Sequence, residues 1–181
     1  SLVYQQLGGN LPKQQVNQLI NASFDYLAER YPNYQNRFPT VLEALQQVSS
    51  GLSDPDIQLL TTTFALHERG YLSLEYAEAL NQLAQQFRLG LVADIWAPKD
   101  LWMHYFEEQN ILHLFEAISF SSEHGYVKPS PYGFQLVLDN MHLQPSEAVF
   151  IGDSVRRDLG GANASGIDCI LHYSVLNTDS F

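Results

Sequence analysis

The sequence predicts an α/β fold, a doubly wound parallel sheet core preceded by a purely helical domain. Three observations carry this expectation. After Gly70, helix-period and strand-like segments alternate four times, the order of a parallel sheet wound with helices on both faces. The apolar run 148–151 stops abruptly at Gly152-Asp153, and a short apolar run closed by glycine reads as a buried parallel strand. Between about Pro12 and Gly70 the apolar spacing is helical and no convincing strand occurs.

Each element follows from its residues. Val16, Leu19, Ile20, Ser23, Phe24, Leu27, Ala28 and Tyr31 lie on one helical face, and Pro32 is expected to end that helix. Thr40 caps a second helix carrying Val41, Leu42, Leu45 and Val48, closed near Gly51. Ser53-Asp54-Pro55 starts a third, with Ile57, Leu60, Phe64 and His67 on one side; a lone histidine near a helix end reads as structural. Ser73 caps a fourth, whose Tyr76, Ala77, Leu80, Leu83, Ala84 and Phe87 are expected to face inward.

A short buried strand follows over 89–93, then a helix opened by Pro98 with Leu101, Trp102, Tyr105 and Phe106, an aromatic group that reads as core packing. A strand over 117–120 comes next. A helix with Ser130 as N-cap and Pro131 as first residue buries Phe134, Val137, Leu138 and Met141. After the strand 148–151, Gly160, Gly161, Ala162 and Ala164 suit close approach of a helix to a sheet. The last strand covers 169–172.

The 181 residues suffice for one core with a small accessory domain, and 45% hydrophobic with 16% charged residues is ordinary globular material. A net charge of -11 opposes nonspecific binding to nucleic acid or to an anionic membrane. The single cysteine, Cys169, lies in an apolar run and reads as a small buried hydrophobe. No apolar run reaches transmembrane length and no signal-like segment opens the chain, so a cytoplasmic location is the expectation.

Chemistry concentrates at two places. Asp153 stands at the carboxyl end of a strand, where ligands of open α/β sheets sit, and Asp158 follows on the first helical turn. Oxygen ligands of this kind suit Mg²⁺. The alternative is structural, with Asp153 as a helix N-cap and Asp158 as a solvated residue favoured by the helix dipole. Upstream, Gly125-Tyr126-Val127-Lys128-Pro129-Ser130-Pro131 places Lys128 just before a helix. Alone it reads as a surface lysine; with the strand-end aspartate it makes a pair able to hold a phosphate and its metal.

These motifs give the chain a resemblance to the haloacid dehalogenase (HAD) superfamily, in the phosphatase-like branch with a helical cap. Leu91-Val92-Ala93-Asp94 is similar to the second family motif, Lys128 in Gly-Tyr-Val-Lys-Pro to the third, and Gly152-Asp153 with Asp158 to the fourth. Each is weak alone; three in register are specific. The resemblance is strong over 73–173, and it implies a Rossmann-like core over 71–181 with an α-helical cap domain over 1–70. The first family motif, an Asp-x-Asp strand carrying nucleophile and general acid, has no counterpart here. The expectation is therefore an incomplete core, with the nucleophile upstream of Ser1 and a central strand wanting between the second-motif and fourth-motif strands.

The implied activity is that of a phosphoric monoester hydrolase working on a small phosphorylated metabolite through an aspartyl-phosphate intermediate, with Mg²⁺ as cofactor. The implied catalytic residues are Lys128 and Asp158, the substrate contacts Ala93, Asp94 and Lys128, and the metal ligands Asp153 and Asp158. Asp158 would serve either through water or by orienting Lys128. Ala93 stands where the family usually carries a hydroxyl, so backbone N–H groups of Asp94 or Ile95 would substitute for it. Asp94 brings negative charge to a phosphate site, which is unfavourable unless it is paired. Arg30, Arg37 and Arg69 are candidates for gripping an anionic substrate. Two alternatives stay open: a 2-haloacid dehalogenase and a catalytically silent binding protein of the same fold.

Overall fold

The computed structural model describes residues 1–31 and 37–172. The first long helix ends at Ala28, ahead of the expected stop at Pro32; Pro32 itself, the end of the resemblance at Tyr173 and the stretch 173–181 lie outside the described residues. Among the described residues, no helix is long and apolar enough to cross a membrane.

The first part is helical, with α1 (Leu2–Gln6), α2 (Lys13–Ala28), α3 (Val41–Val48) and α4 (Asp54–Glu68). Local chemistry sets the starts. At α3, Thr40 Oγ1 accepts the Glu43 N–H at 3.3 Å while the Glu43 carboxylate accepts the Thr40 N–H at 2.7 Å, a complete capping box. At α4, Ser53 Oγ accepts the Asp56 N–H and Pro55 sits in the first turn. Val16, Leu27, Leu45 and Leu60 interlock in a solvent-free cluster that also takes in Tyr31 and Phe38. The five-residue α1 gives no readable periodicity in the sequence; it is held by Tyr4, fully buried, whose hydroxyl donates to Asp56 Oδ1 at 2.8 Å.

The second part alternates α5 (Leu74–Ala84), β1 (Leu89–Ala93), α6 (Asp100–Glu108), β2 (Phe115–Phe120), α7 (Ser121–His124), α8 (Tyr132–Met141), β3 (Val149–Gly152), a π-helical turn (Val155–Leu159), α9 (Gly160–Ala164) and β4 (Asp168–Leu171). Both strand pairs are parallel, with Ala93 opposite Phe120 in one ladder and Gly152 opposite Leu171 in the other. The α/β class is therefore as expected.

Four details differ from expectation. The two ladders, β1-β2 and β3-β4, are separate two-stranded sheets among the described residues, not one sheet. Side chains join them instead: Val92 of β1 packs against the cluster around Phe134 of α8, and Phe134 meets Phe150 of β3 edge-on at 4.8 Å. Strand β3 is buried on one face only; Phe150 packs inward while Val149 and Ile151 are 56% and 57% exposed. Helix α5 buries no residue fully. Its Ala77 and Leu80 touch the cluster of Ile95 and Tyr105, while Tyr76 and Phe87 are 63% and 61% exposed, because the apolar stripe is wider than the surface it meets. Finally, Pro131 rather than Ser130 is the N-cap of α8, one residue later than expected, although Ser130 Oγ still accepts the Tyr132 N–H.

Two substitutions test this account. Thr40→Ala should cost about 1 kcal/mol of unfolding free energy, and Leu60→Ala about 3 kcal/mol, both read by urea denaturation. Equal losses would mean that cap and core do not contribute as described.

Candidate active site

The site is built at the carboxyl ends of β1 and β3. Strand β3 ends at Gly152, and the chain turns at once into the π-helical segment, whose N-cap is Ser154: its Oγ accepts the Arg157 N–H at 3.1 Å. The capping alternative for Asp153 is thereby excluded. The turn brings Asp158 back beneath the strand end. A Cβ on Gly152 would lie 2.5–2.7 Å from the Asp158 side chain, so only glycine fits there. Gly161 is needed for a similar reason, since a Cβ would strike the Phe134 ring.

Asp158 has three donors, with both oxygens engaged. Its Oδ1 accepts from Lys128 Nζ at 2.6 Å, and its Oδ2 accepts the N–H groups of Asp153 at 2.9 Å and Ser154 at 3.0 Å. The side chains of Lys128 and Asp158 are only 13% and 4% exposed. The solvated-residue alternative for Asp158 is therefore also excluded. Burial pushes the Asp158 carboxyl up, but the Lys128 ammonium and the two amide donors outweigh it and hold the group below its ordinary range. Lys128 and Asp153, twenty-five positions apart in the sequence, thus converge on one carboxylate. The Asp153 carboxylate itself is exposed at the strand end.

Asp94 follows β1. Its Oδ2 accepts the Tyr31 hydroxyl at 2.6 Å, and the Lys128 N–H reaches both its oxygens at 3.1 Å. Burial raises its pKa above the ordinary value, against the pull of the Lys128 charge and the Tyr31 hydrogen bond. Pairing therefore offsets only part of the expected penalty of a carboxylate at this position. Burial and the neighbouring Asp94 likewise push the Tyr31 phenol well up. Ala93 stands at the strand end as expected, but the substitute donor at Ile95 is unavailable: its N–H is given to Ser121 Oγ at 2.9 Å. Of the two proposed backbone contacts, only that of Asp94 remains open to the reading.

The three candidate arginines each have a partner away from Lys128 and Asp158. Arg30 stacks on Tyr26, Arg37 pairs with Glu43 at 2.9 Å, and Arg69 lies over the Tyr105 ring. Arg157 instead faces the site. It is half-buried; burial disfavours its charge, but the neighbouring Tyr31, Asp158 and Asp94 outweigh that and raise its pKa. Sequence reasoning gave Tyr31 only a packing role and Arg157 none. The available signals were a hydroxyl at the end of an apolar helical face and a cation adjacent to a buried acid.

The donor set bears on a metal. Both oxygens of Asp158 are engaged within the protein. Among the described residues, no group of three or more histidine, cysteine, aspartate or glutamate side chains could hold a metal ion. Asp153 fits as one hard oxygen donor.

Three comparisons place this geometry among known proteins. The family described as haloacid dehalogenase-like hydrolase matches residues 2–172. Curated relatives include a glyceraldehyde 3-phosphate phosphatase from Methanopyrus kandleri, 31% identical over 64% of this chain and 51% of that protein. Another is a phosphoserine phosphatase from Thermus thermophilus, 27% identical over 71% of this chain and 51% of that protein. The chain spans about half the length of these relatives. Among solved structures, a putative HAD-hydrolase from Bacillus subtilis bound to magnesium superposes with a TM-score of 0.65 at 18% identity, covering 98% of this chain and 78% of that one. A 2-haloacid dehalogenase from Pseudomonas syringae gives 0.60 at 21% identity, covering 96% and 75%. At such identities the likeness is one of fold.

The two carboxylates should behave oppositely with pH. Asp158→Ala should cost about 3 kcal/mol near neutral pH by leaving the nearly buried Lys128 without its ion-pair partner. Because the folded-state pKa is depressed, that contribution is present above the ordinary carboxylate value of 3.8 and is lost as pH falls through the lower folded value. Asp94 has a raised folded pKa, so its contribution is present at low pH and is lost as pH rises through that value. Asp94→Asn should therefore gain stability relative to wild type on going from acid to neutral pH. Urea unfolding across the acid range checks both signs; parallel pH profiles for the two variants would contradict them.

Proposed function

We infer the function from one premise: the chain belongs to the haloacid dehalogenase-like hydrolases. On that basis we propose a phosphoric monoester hydrolase acting on a small phosphorylated metabolite. The observation that carries the proposal is the Lys128–Asp158 pair, nearly buried, 2.6 Å apart and tied to the strand-end amides of Asp153 and Ser154. The phosphatase names of the curated relatives support the same reading.

In this proposal Lys128 is the catalytic cation. Its ammonium neutralises charge on the attacking carboxylate and on the transferring phosphoryl group. Asp158 acts through Lys128, fixing its position and keeping it charged, and by accepting two backbone N–H groups it also fixes the loop that carries Asp153. The Asp94 N–H and Lys128 contact the phosphoryl oxygens, beside Ala93. Mg²⁺ would be held directly by Asp153, with Asp158 behind it, and would supply further charge neutralisation at the phosphoryl oxygens. No described residue supplies the attacking carboxylate.

Residues 1–70 are proposed as the cap and 71–181 as the core. The cap would shield the reaction from water and supply substrate contacts. Hydrogen bonds crossing between these parts support this: Tyr31 to Asp94, the Phe38 N–H to the Gly125 carbonyl at 2.6 Å, and the Val41 N–H to the Trp96 carbonyl at 2.8 Å.

The test is an assay of the protein at its natural length against p-nitrophenyl phosphate and 2-chloropropionate, with and without Mg²⁺. Phosphate release that requires Mg²⁺ and falls at least a hundredfold in Lys128→Met is expected. Chloride release without Mg²⁺ would instead identify a dehalogenase, and no turnover of either a binding protein.

A further inference from the structure

Between the helical part and the core lies a cavity of about 470 Å³, within the range of small-molecule sites. Asp94 and Arg157 form part of its wall, so it opens onto the site already described. The rest of the wall is dominated by rings. Trp96 is central, with centroids of Phe24, Tyr31 and Phe64 at 5.5, 5.9 and 6.3 Å from its own. Ile20 and Ala28 of α2 extend this apolar surface.

The polar groups on the wall are largely committed. The Glu68 carboxylate accepts the N–H groups of Trp96 at 2.6 Å and Ala97 at 3.1 Å, one on each oxygen. The Tyr31 hydroxyl is given to Asp94. A polyhydroxylated group placed deep among the rings would bury hydroxyls against ring faces, with Asn21, His67 and, at the Asp94 end, Arg157 as the further polar side chains on the wall. A compact apolar group, above all an aromatic one, would meet four rings.

We propose that this cavity selects a phosphate ester whose leaving group is aromatic or comparably compact and apolar, rather than a sugar. This rests on the phosphatase reading, because it takes the Lys128 end of the site as the place of the phosphoryl group. Phe24, Phe64 and Trp96 are then the specificity-determining residues, acting on the leaving group and not on the reacting atoms.

Binding separates this inference from its premise. Quenching of Trp96 fluorescence, with Trp96→Phe as the blank against Trp102, reports occupancy by inorganic phosphate, benzylphosphonate and 2-hydroxyethylphosphonate. Benzylphosphonate should bind at least tenfold more tightly than 2-hydroxyethylphosphonate, and inorganic phosphate should displace both. Phe24→Ala should erase most of that preference. Ala28→Phe, which fills the cavity from α2 without touching the cluster of Lys128, should do the same while leaving phosphate affinity unchanged. If inorganic phosphate and both phosphonates bind but the benzyl compound has no advantage, the specificity inference is overturned and the phosphatase reading stands. If none of the three binds, both are overturned.

Discussion

The architecture of the site depends on one constraint: a carboxylate withdrawn from water must find hydrogen-bond donors for both of its oxygens. Asp158 meets it with an ammonium and two amides. Those three donors come from separate stretches of chain, the loop before α8 and the turn after β3. Satisfying a single side chain therefore fixes the relation between the two ladders on the side where chemistry is expected. Loss of the pair would leave either charge stranded in a poorly solvated place, which is more costly than never having placed it there. The glycine at 152 belongs to the same constraint, because the carboxylate occupies the space a side chain would need.

Asp94 follows a different logic. Its surroundings favour the neutral form, although a lysine amide and a phenol stabilise the charge. The two acids thus lie on opposite sides of the ordinary carboxylate range. The one under β3 stays ionised to sustain a cation. The one after β1 is held where burial disfavours its charged form. Environment, rather than residue type, divides the roles.

Much of this was legible beforehand. The places of Lys128 in the loop before α8 and of Asp153 at the end of β3 are legible because strand-end position and loop chemistry are written locally. Helix starts at Thr40, Ser53 and Ser73 were identified because capping uses side chains within three residues. What escaped depends on long-range partners. The pairing of Tyr31 with Asp94 spans 63 positions, and periodicity alone cannot distinguish a hydroxyl at the edge of an apolar face from one inside it. The inward face assigned to α5 failed for a related reason: an amphipathic stripe states what a helix could bury, not what surface it meets. Likewise the single sheet inferred from alternation is resolved here as two ladders, joined through Phe134 and Phe150 rather than through backbone pairing.

The phenol that reaches from the end of α2 to the core acid has one more implication. Were the helical layer to lift, Asp94 would lose this donor and gain hydration together. The seating of that layer and the solvation of the core acid are thereby one event, with Tyr31 as the tether between them.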